Sequence, residues 1–301
     1  MTKKAYKLLE DRVINVFLQE GSFTLGQEKF HVEVVGKPRP QRGSGEPKTD
    51  VYILGVNEDG VHKELKISLK LKSSNEFQEN KVSAERAESF FGVDFEKIIQ
   101  ETTRSISERF ESQALLYASG RYPTLPDSIT LGWKLEIASK PRKLSAPIQL
   151  CEEEIRAFIY KGENLPPEKM HAIVNEEVIR FSGVAEYIVY AEIDEIHTTQ
   201  DVIERMQLID EVELAPTYLI FTANNYRTRE DKCDGARPIA VRVHWYEEDG
   251  QLAYQIVYEE PLTYCGRDMV PQLQEALSQV GKSHPSEMEP QDVQNPAIFL
   301  P

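Results

Sequence analysis

The early part of the chain carries residues whose types suit phosphate chemistry. Asp50 opens the apolar run 50–56 (DVYILGV), and Ser68 and Lys70 lie in the lysine-rich run 61–72 (VHKELKISLKLK). A carboxylate such as Asp50 can hold Mg²⁺, which prefers oxygen ligands. A lysine such as Lys70 can bind a phosphate or lower the pKa of an attacking water. Hydrolysis of a phosphodiester requires an activated water molecule and stabilisation of the negative charge that develops on the phosphate.

A tight turn between the two runs is predicted to bring these residues together. The break reads Asn-Glu-Asp-Gly, and Asp-Gly is a strong hairpin signal. A two-residue or a four-residue loop places Asp50 opposite a residue between 67 and 69, beside Ser68 and within reach of Lys70. Glu64 opens the triplet Glu64-Leu-Lys66, in which one residue separates an acid from a lysine. We call it the literal triplet; it falls nearer the turn, with Glu64 about 13 Å from Asp50. The geometry therefore favours Asp50 and Lys70, and not the literal triplet, as the residues of the candidate site.

The run 61–72 alternates between apolar and polar side chains, as a half-buried strand does. Its odd positions are apolar apart from Lys63, whereas its even positions are all polar. One face is therefore predicted to lie in the core and the other to present lysines, including Lys72, beside Asp50. The alternatives are a solvated strand face without function and an edge strand whose lysines block aggregation.

The segments around Asp50 and Lys70 resemble a known nuclease pattern. Gly45-Glu-Pro-Lys-Thr-Asp50 followed by Ile67-Ser-Leu-Lys70 is similar to the motif of the PD-(D/E)xK, or restriction-endonuclease-like, superfamily, in the variant whose strand reads I-S-x-K. The resemblance covers roughly residues 5–115. It implies a metal-dependent DNA endonuclease of restriction, phage or defence type, with Mg²⁺ as cofactor and Mn²⁺ able to replace it.

On that resemblance, Asp50, Ser68 and Lys70 occupy the catalytic positions. Asp50 is the expected metal ligand, Lys70 the cation that activates water and stabilises the transition state, and Ser68 the substitute for the family's middle acid. Glu10 is the expected compensating metal ligand, because several members of the superfamily place a further acid on the first helix. Glu46 is a competing acid, Glu64 is another if the hairpin is bulged, and a solvated glutamate on a helix face is the plain alternative for Glu10.

The elements that would position these residues follow from the periodicity. Apolar residues recur at helical spacing within 5–20, which predicts a helix that carries Glu10 and ends at Gly21. A strand is predicted from residue 30, followed by a loop rich in Gly, Pro and basic residues at 36–48. A second hairpin is predicted at 239–258, around Glu-Glu-Asp-Gly. The stripe of the first helix comprises Leu8, Leu9, Val13, Val16 and Phe17.

A second basic cluster lies between two strand-like runs in the later half of the chain. Arginine is the common reader of guanine edges and of phosphates, and in nucleases of this general type such a loop often carries target contacts. We therefore predict that the loop binds DNA, together with Lys72. The alternative is a loop held by its own pairs with Glu230, Asp231 and Asp234. The basic residues are Arg227, Arg229, Lys232 and Arg237.

The charge balance leaves nucleic acid open as a partner. The 301 residues have a net charge of −15, yet residues 1–150 hold 23 basic and 21 acidic side chains, whereas residues 151–301 hold 12 and 29. Screening confines long-range repulsion to about 8 Å at physiological salt, so local basic surface decides binding. Three separated cysteines argue against a disulfide framework or a structural zinc site and for a reducing cytoplasm. We expect no membrane span and no signal core.

The sequence as a whole predicts an α/β protein, with a restriction-endonuclease-like mixed β-sheet flanked by helices and a C-terminal α+β extension. The predicted parts are a nuclease-like core at 1–150, an acidic α+β domain or extension at 151–282 and a flexible tail at 283–301. DNA is the expected partner, and a homodimer is left open. Two functions compete with the nuclease: a catalytically inactive module that binds DNA or protein, favoured by Ser68, and an acidic mimic of nucleic acid.

Overall fold

The computed structural model describes residues 2–43, 45–72, 78–79 and 82–301 and shows a mixed α/β protein. The strands are β1 Ser22–Leu25, β2 Glu28–Gly36, β3 Val51–Val56, β4 His62–Lys70, β5 Gln78–Glu79, β6 Leu116–Tyr117, β7 Ser128–Ala138, β8 Ser145–Pro147, β9 Ile173–Val174, β10 Glu177–Val178, β11 Tyr187–Tyr190, β12 Met206–Leu208, β13 Tyr218–Arg227, β14 Lys232–Cys233, β15 Ile239–Glu248, β16 Gln251–Val257 and β17 Phe299–Leu300. The helices are α1 Thr2–Glu20, α2 Ala84–Phe91, α3 Phe95–Arg104, α4 Ser107–Glu111, α5 Glu152–Glu154 with a π-helical continuation Ile155–Lys161, α6 Pro167–Met170, α7 Thr199–Arg205 and α8 Gly266–Gln279. None of the helices in the described part of the chain combines the length and apolarity that crossing a bilayer demands.

The chain divides into two compact units that alternate along the sequence. Unit 1 comprises residues 1–76, 89–92 and 150–215, and unit 2 comprises residues 77–88, 93–149 and 216–301. This division differs from the predicted boundary at residue 150. The physical reason is strand pairing, since β11 and β12 complete the sheet begun by β1 to β4, whereas β7 pairs with β13 and β15.

Folding also redistributes the charge asymmetry of the sequence. Unit 1 contains 18 basic and 27 acidic residues, and unit 2 contains 17 and 23. The acidic excess of the later half is therefore shared between the units, and the predicted acidic domain at 151–282 is not a compact unit. The nucleic-acid mimic thereby loses the observation that suggested it.

In unit 1, helix α1 packs on a sheet with the strand order β1-β2-β3-β4-β11-β12. Strand β4 is antiparallel to β3 and parallel to β11, so it lies inside the sheet and the edge-strand explanation of its lysines is wrong. Most of the predicted core face is confirmed, but Leu8 and Val61 are exposed. The shared core includes Leu9, Val13, Val16 and Phe17 of the helix and Leu65, Ile67 and Leu69 of β4.

The two Glu-Asp-Gly turns fold differently. Strands β15 and β16 meet through Asp249 and Gly250, both at positive φ, in the two-residue turn that Asp-Gly predicts. The β3–β4 turn spans residues 57–61 instead, because Asn57 Oδ1 accepts two backbone N–H groups of the turn, at 3.0 and 2.8 Å. Its length differs from both predicted loops, but its register lies between the two predicted registers.

In unit 2, strand β7 lies between β13 and β15 and is buried along its whole length. Strand β13 also pairs with β14 and β8, and β15 pairs with β16 in the second predicted hairpin. Helix α8 packs against β15, β13 and β7. This sheet positions the loop between β13 and β15, which contains the second basic cluster.

The last residues of the chain pack into unit 2, so the predicted flexible tail at 283–301 is wrong. Strand β17 pairs in parallel with β6, and the Ile298 carbonyl accepts the Leu115 N–H at 2.9 Å. Val293 and Ile298 are each 1% exposed. A few apolar side chains and strand pairing thus outweigh the four prolines of this segment, which suggested disorder.

Replacement of Ile298 by alanine is expected to lower the free energy of unfolding by about 2–5 kcal/mol. The cost arises because the variant loses buried methylene groups and leaves a cavity. Urea denaturation measures the change, with Val93→Ala as control, because Val93 is 82% exposed in the same unit. Equal, small changes in the two variants would mean that the tail does not pack as described.

Candidate active site

Asp50 lies just before β3 and faces β4. Its backbone N–H donates to the Ile67 carbonyl at 2.8 Å, and Val51 pairs with Ile67, which places Asp50 next to Ser68 across the hairpin. One carboxylate oxygen, Oδ2, accepts hydrogen bonds from the Leu69 N–H at 2.7 Å and from Ser68 Oγ at 3.3 Å. The predicted position of Asp50 beside Ser68 is therefore confirmed.

The backbone that precedes Asp50 is held by a distant segment. Lys48 and Thr49 donate their backbone N–H groups to the Gly183 carbonyl, at 3.0 and 3.2 Å. Glycine is required at 183, since a Cβ there would lie 1.9 Å from the Lys169 carbonyl oxygen. The place of the Asp50 carboxylate is thus determined by β4 on one side and by this glycine turn on the other.

Helix α1 delivers a second carboxylate. Glu10 is only 8% exposed, so the solvated helix-face alternative is wrong. Its Oε2 accepts a hydrogen bond from Lys37 Nζ at 2.6 Å, and the same ammonium lies 3.1 Å from Glu46 Oε1. Glu10 is also within range of the negative charge of Asp50. The structure therefore brings the predicted Glu10 and Asp50 into one cluster, with Glu46 at its border.

Lys37 belongs to this cluster, although no pattern in the sequence predicts it. It follows the last residue of β2 and reaches a partner 27 positions away. The available signal was its place in the basic loop 36–48, which does not distinguish it from the other basic residues there. Its role depends on the packing of α1 over the sheet, which local patterns do not specify.

Burial raises the pKa of both carboxylates. For Asp50, desolvation outweighs the opposing effects of the Lys70 charge and of the hydrogen bond from Leu69. For Glu10, desolvation and repulsion from Asp50 outweigh the Lys37 hydrogen bond. Desolvation is the largest single effect on the pKa of Lys37 and lowers it, but the hydrogen bonds and negative charges of Glu10 and Glu46 together outweigh it, so the net direction is upward. The two carboxylates therefore carry an electrostatic cost that a bound cation would relieve.

These raised pKa values predict that Asp50 costs stability at neutral pH. A carboxyl group with a higher pKa in the folded chain stabilises the fold below its unfolded pKa, about 4, and this contribution is lost as the pH rises through the folded pKa. Asp50→Asn removes that loss and the repulsion on Glu10 and Glu46, although Lys70 and Lys37 then lose a nearby negative charge. In metal-free buffer, we expect the Tm of the variant minus that of the parent to increase from about pH 4 to about pH 8.

Thermal melts across that range test the prediction. Asp11→Asn, which neutralises the exposed acid next to Glu10 on α1, is the control for the loss of one negative charge. A constant difference between Asp50→Asn and the parent at every pH would contradict the raised pKa of Asp50.

Ion pairs occupy much of the predicted lysine face. Lys66 Nζ lies 3.8 Å from a Glu186 carboxylate oxygen, and Lys72 Nζ lies 2.5 Å from Glu195. The alternative of a uniformly solvated strand face is therefore wrong for β4. Lys72, for which a DNA contact was predicted, has a protein partner. Lys70 is the lysine of this face whose charge acts on Asp50.

Glu64 does not reach the cluster. It pairs with Leu54 in the hairpin, nearer the turn, and accepts a hydrogen bond from the Tyr52 hydroxyl at 2.5 Å. The predicted separation of Glu64 from Asp50 is confirmed. Glu64 of the literal triplet therefore forms a local pair with Tyr52. Burial and this hydrogen bond raise the pKa of Tyr52.

The second basic cluster lies in unit 2, and neighbouring carboxylates neutralise most of it. Of the predicted partners, Glu230 and Asp234 pair with Arg227, whereas Asp231 pairs with Arg267. Lys232 is exposed. This arrangement favours the self-paired loop over the predicted DNA contacts. The closest pairs are Arg227–Asp234 at 2.7 Å, Arg229–Asp127 at 2.7 Å and Arg237–Glu136 at 3.7 Å.

The donor set of the cluster suits a hard divalent cation. Glu10 and Asp50 offer carboxylate oxygens, and Mg²⁺ is usually held by one or two carboxylates together with water and phosphate oxygens. Within the described residues, no group of three or more His, Cys, Asp and Glu side chains is placed to hold a metal ion. The fit is therefore to a cation that completes its shell with water and substrate.

Comparison with known proteins gives no relative. No family model matches the chain, and neither a curated protein nor a solved structure matches it.

Proposed function

We propose that this protein is a Mg²⁺-dependent endonuclease that hydrolyses DNA on a restriction-endonuclease-like fold. The observation that carries the proposal is the approach of Glu10, Asp50 and Lys70, which come from α1, the residue before β3 and the end of β4. These are the side chains that the sequence resemblance implies for metal binding and catalysis. The mixed sheet with α1 packed on it supports the same fold.

Glu10 and Asp50 would hold the metal ion. When bound, such an ion supplies positive charge to the scissile phosphate and to the attacking water. Ser68 donates a hydrogen bond to Asp50 and, with the Leu69 N–H, orients the carboxylate. Lys37 neutralises Glu10 at 2.6 Å and holds it toward the cluster.

Lys70 has two tasks in this proposal. Its positive charge favours the ionised form of Asp50 against the effect of burial. The same charge can stabilise the negative charge that develops on the phosphate during attack, which is commonly a large catalytic effect in a preorganised site. Ser68 provides no carboxylate, so a second metal ion has no ligand at that position.

Nicking of supercoiled plasmid by the purified chain tests the proposal. We expect open-circular product with Mg²⁺ or Mn²⁺ and none when EDTA is in excess. The protein should be compared with a sample inactivated by heat, prepared in parallel to detect a contaminating nuclease. Absence of product with either metal, on circular and linear DNA alike, would contradict the proposed nuclease activity.

A second candidate is the inactive module that binds DNA or protein. It is favoured by Ser68, whose hydroxyl bonds to Asp50 where the family pattern has an acid, and by Lys37, which already neutralises Glu10. Binding of DNA with the same affinity in Mg²⁺ and in EDTA, and without cleavage, would select this candidate over the nuclease.

A further inference from the structure

Phe181 is held at the surface of unit 1 in a backbone conformation that bulky residues avoid. Its φ is +57°, and 41% of the residue is exposed. Its N–H donates to His171 Nδ1 at 3.1 Å, and the two rings pack edge to face with centroids 4.9 Å apart. Strained conformations persist where the surroundings impose them, and they cluster at ligand-binding sites.

The turn that carries Phe181 is joined to the candidate active site. The Gly183 carbonyl accepts the backbone N–H groups of Lys48 and Thr49, the two residues before Asp50. Along this path, the Cα atoms of Phe181 and Asp50 are at most roughly 18 Å apart. A DNA strand advances about 3.4 Å per nucleotide, so a strand cleaved at Asp50 can reach the ring within about five nucleotides.

One guanidinium group lies against the ring. The guanidinium carbon of Arg180 lies 5.0 Å from the ring centroid of Phe181. The loop 36–48 also contacts the segment that holds Phe181, because Gln41 Nε2 donates to the His171 carbonyl at 2.6 Å. Arg42 of that loop pairs with Glu168 at 3.6 Å, so Arg180 is the cation shown against the ring. An exposed aromatic ring beside a guanidinium group is a surface on which nucleic-acid bases stack.

We infer that Phe181 and Arg180 bind an unpaired base of the strand that is cleaved at Asp50. The substrate class is then DNA with unpaired nucleotides near the scissile bond, because a base inside a duplex must first leave its stack to reach the ring. Stacking tolerates every base, so the structure of the DNA, not its sequence, selects the site. The choice of DNA as polymer rests on the proposed function.

Binding measured by fluorescence anisotropy tests the inference, with Ca²⁺ in place of Mg²⁺ to separate binding from cleavage. Two labelled probes of the same sequence are compared, a continuous duplex and a duplex with a gap of about four nucleotides. The parent should prefer the gapped probe. Phe181→Ala should weaken binding to that probe by about 5- to 150-fold and leave the duplex affinity unchanged.

Phe181→Trp should preserve the preference, since it keeps a stacking surface. Arg180→Ala should lose part of the preference, without a change at the strained position. Leu18→Ala, which removes an exposed apolar side chain of α1, should bind both probes like the parent. Thermal melts of all variants verify that they are folded.

Equal weakening on both probes, no weakening of either, or a parent without preference for the gap would overturn the inference. Selective weakening by Phe181→Ala would support it, even if the parent cleaved nothing in Mg²⁺. The latter result would count against the nuclease alone, so the two proposals can fail separately.

Discussion

Asp50→Asn is expected to nick supercoiled plasmid about 10³-fold more slowly than the parent in Mg²⁺, or slower still. Asparagine keeps the size of the side chain and an oxygen that can accept the Leu69 N–H, now at 2.7 Å. It loses the negative charge that would hold the cation. Loss of one group that stabilises a transition state already costs about 10²–10³ in rate, and here the metal ligand is lost as well. Initial rates of nicking at saturating metal measure the effect.

Glu64→Gln is the matched control for this prediction. Glu64 is the acid of the literal triplet, on the neighbouring strand, and its partner is the Tyr52 hydroxyl. We expect the variant to nick plasmid at close to the parent rate. Activity lost in Glu64→Gln and kept in Asp50→Asn would mean that the triplet is the site. Because Asp50→Asn should melt no lower than the parent at neutral pH, unfolding would not explain its inactivity.

The position of Asp50 could be predicted because a hairpin depends on local patterns. Alternation in 61–72 decides which side chains enter the core, and a slip of one residue would turn every one of them to the other face. The turn length was mispredicted, since Asn57 closes the turn with its side chain, which hydrophobic pattern does not reveal. The observed register of the hairpin differs by one residue from each predicted register, so Asp50 lies beside Ser68 as predicted.

Features that depend on distant contacts could not be predicted in the same way. Strand β11 joins β4 after a long excursion through unit 2, so a boundary drawn at residue 150 separates strands of one sheet. The burial of Ile298 depends on pairing of β17 with β6, far away in the sequence. Glu10 was recognised by resemblance, whereas Lys37, its partner, required the packing of α1. Helix and strand patterns specify faces, but they do not specify which faces meet.

Lys70→Met is expected to lower the nicking rate by about 10²–10⁴-fold. Methionine keeps most of the apolar stem, and the backbone is held by β11, where the Lys70 carbonyl accepts the Ala191 N–H at 3.0 Å. The variant therefore removes a charge with little change in packing. Lys66→Met is the control, because Lys66 lies on the same face of β4 but near Glu186. Equal activity of the two variants would remove Lys70 from the site.

The pH dependence of Lys70→Met separates the two tasks of the lysine. The Lys70 charge lowers the pKa of Asp50 against burial, so its removal raises that pKa further and moves the acidic limb of the rate profile to higher pH. If keeping Asp50 ionised were the whole task, the rate of the variant would reach that of the parent at high pH. If the ammonium also stabilises charge on the phosphate, the rate stays low at every pH, since no pH restores a charge to methionine. We expect the shifted limb together with a low plateau, and a higher plateau for Lys70→Arg, which keeps the charge but changes its geometry.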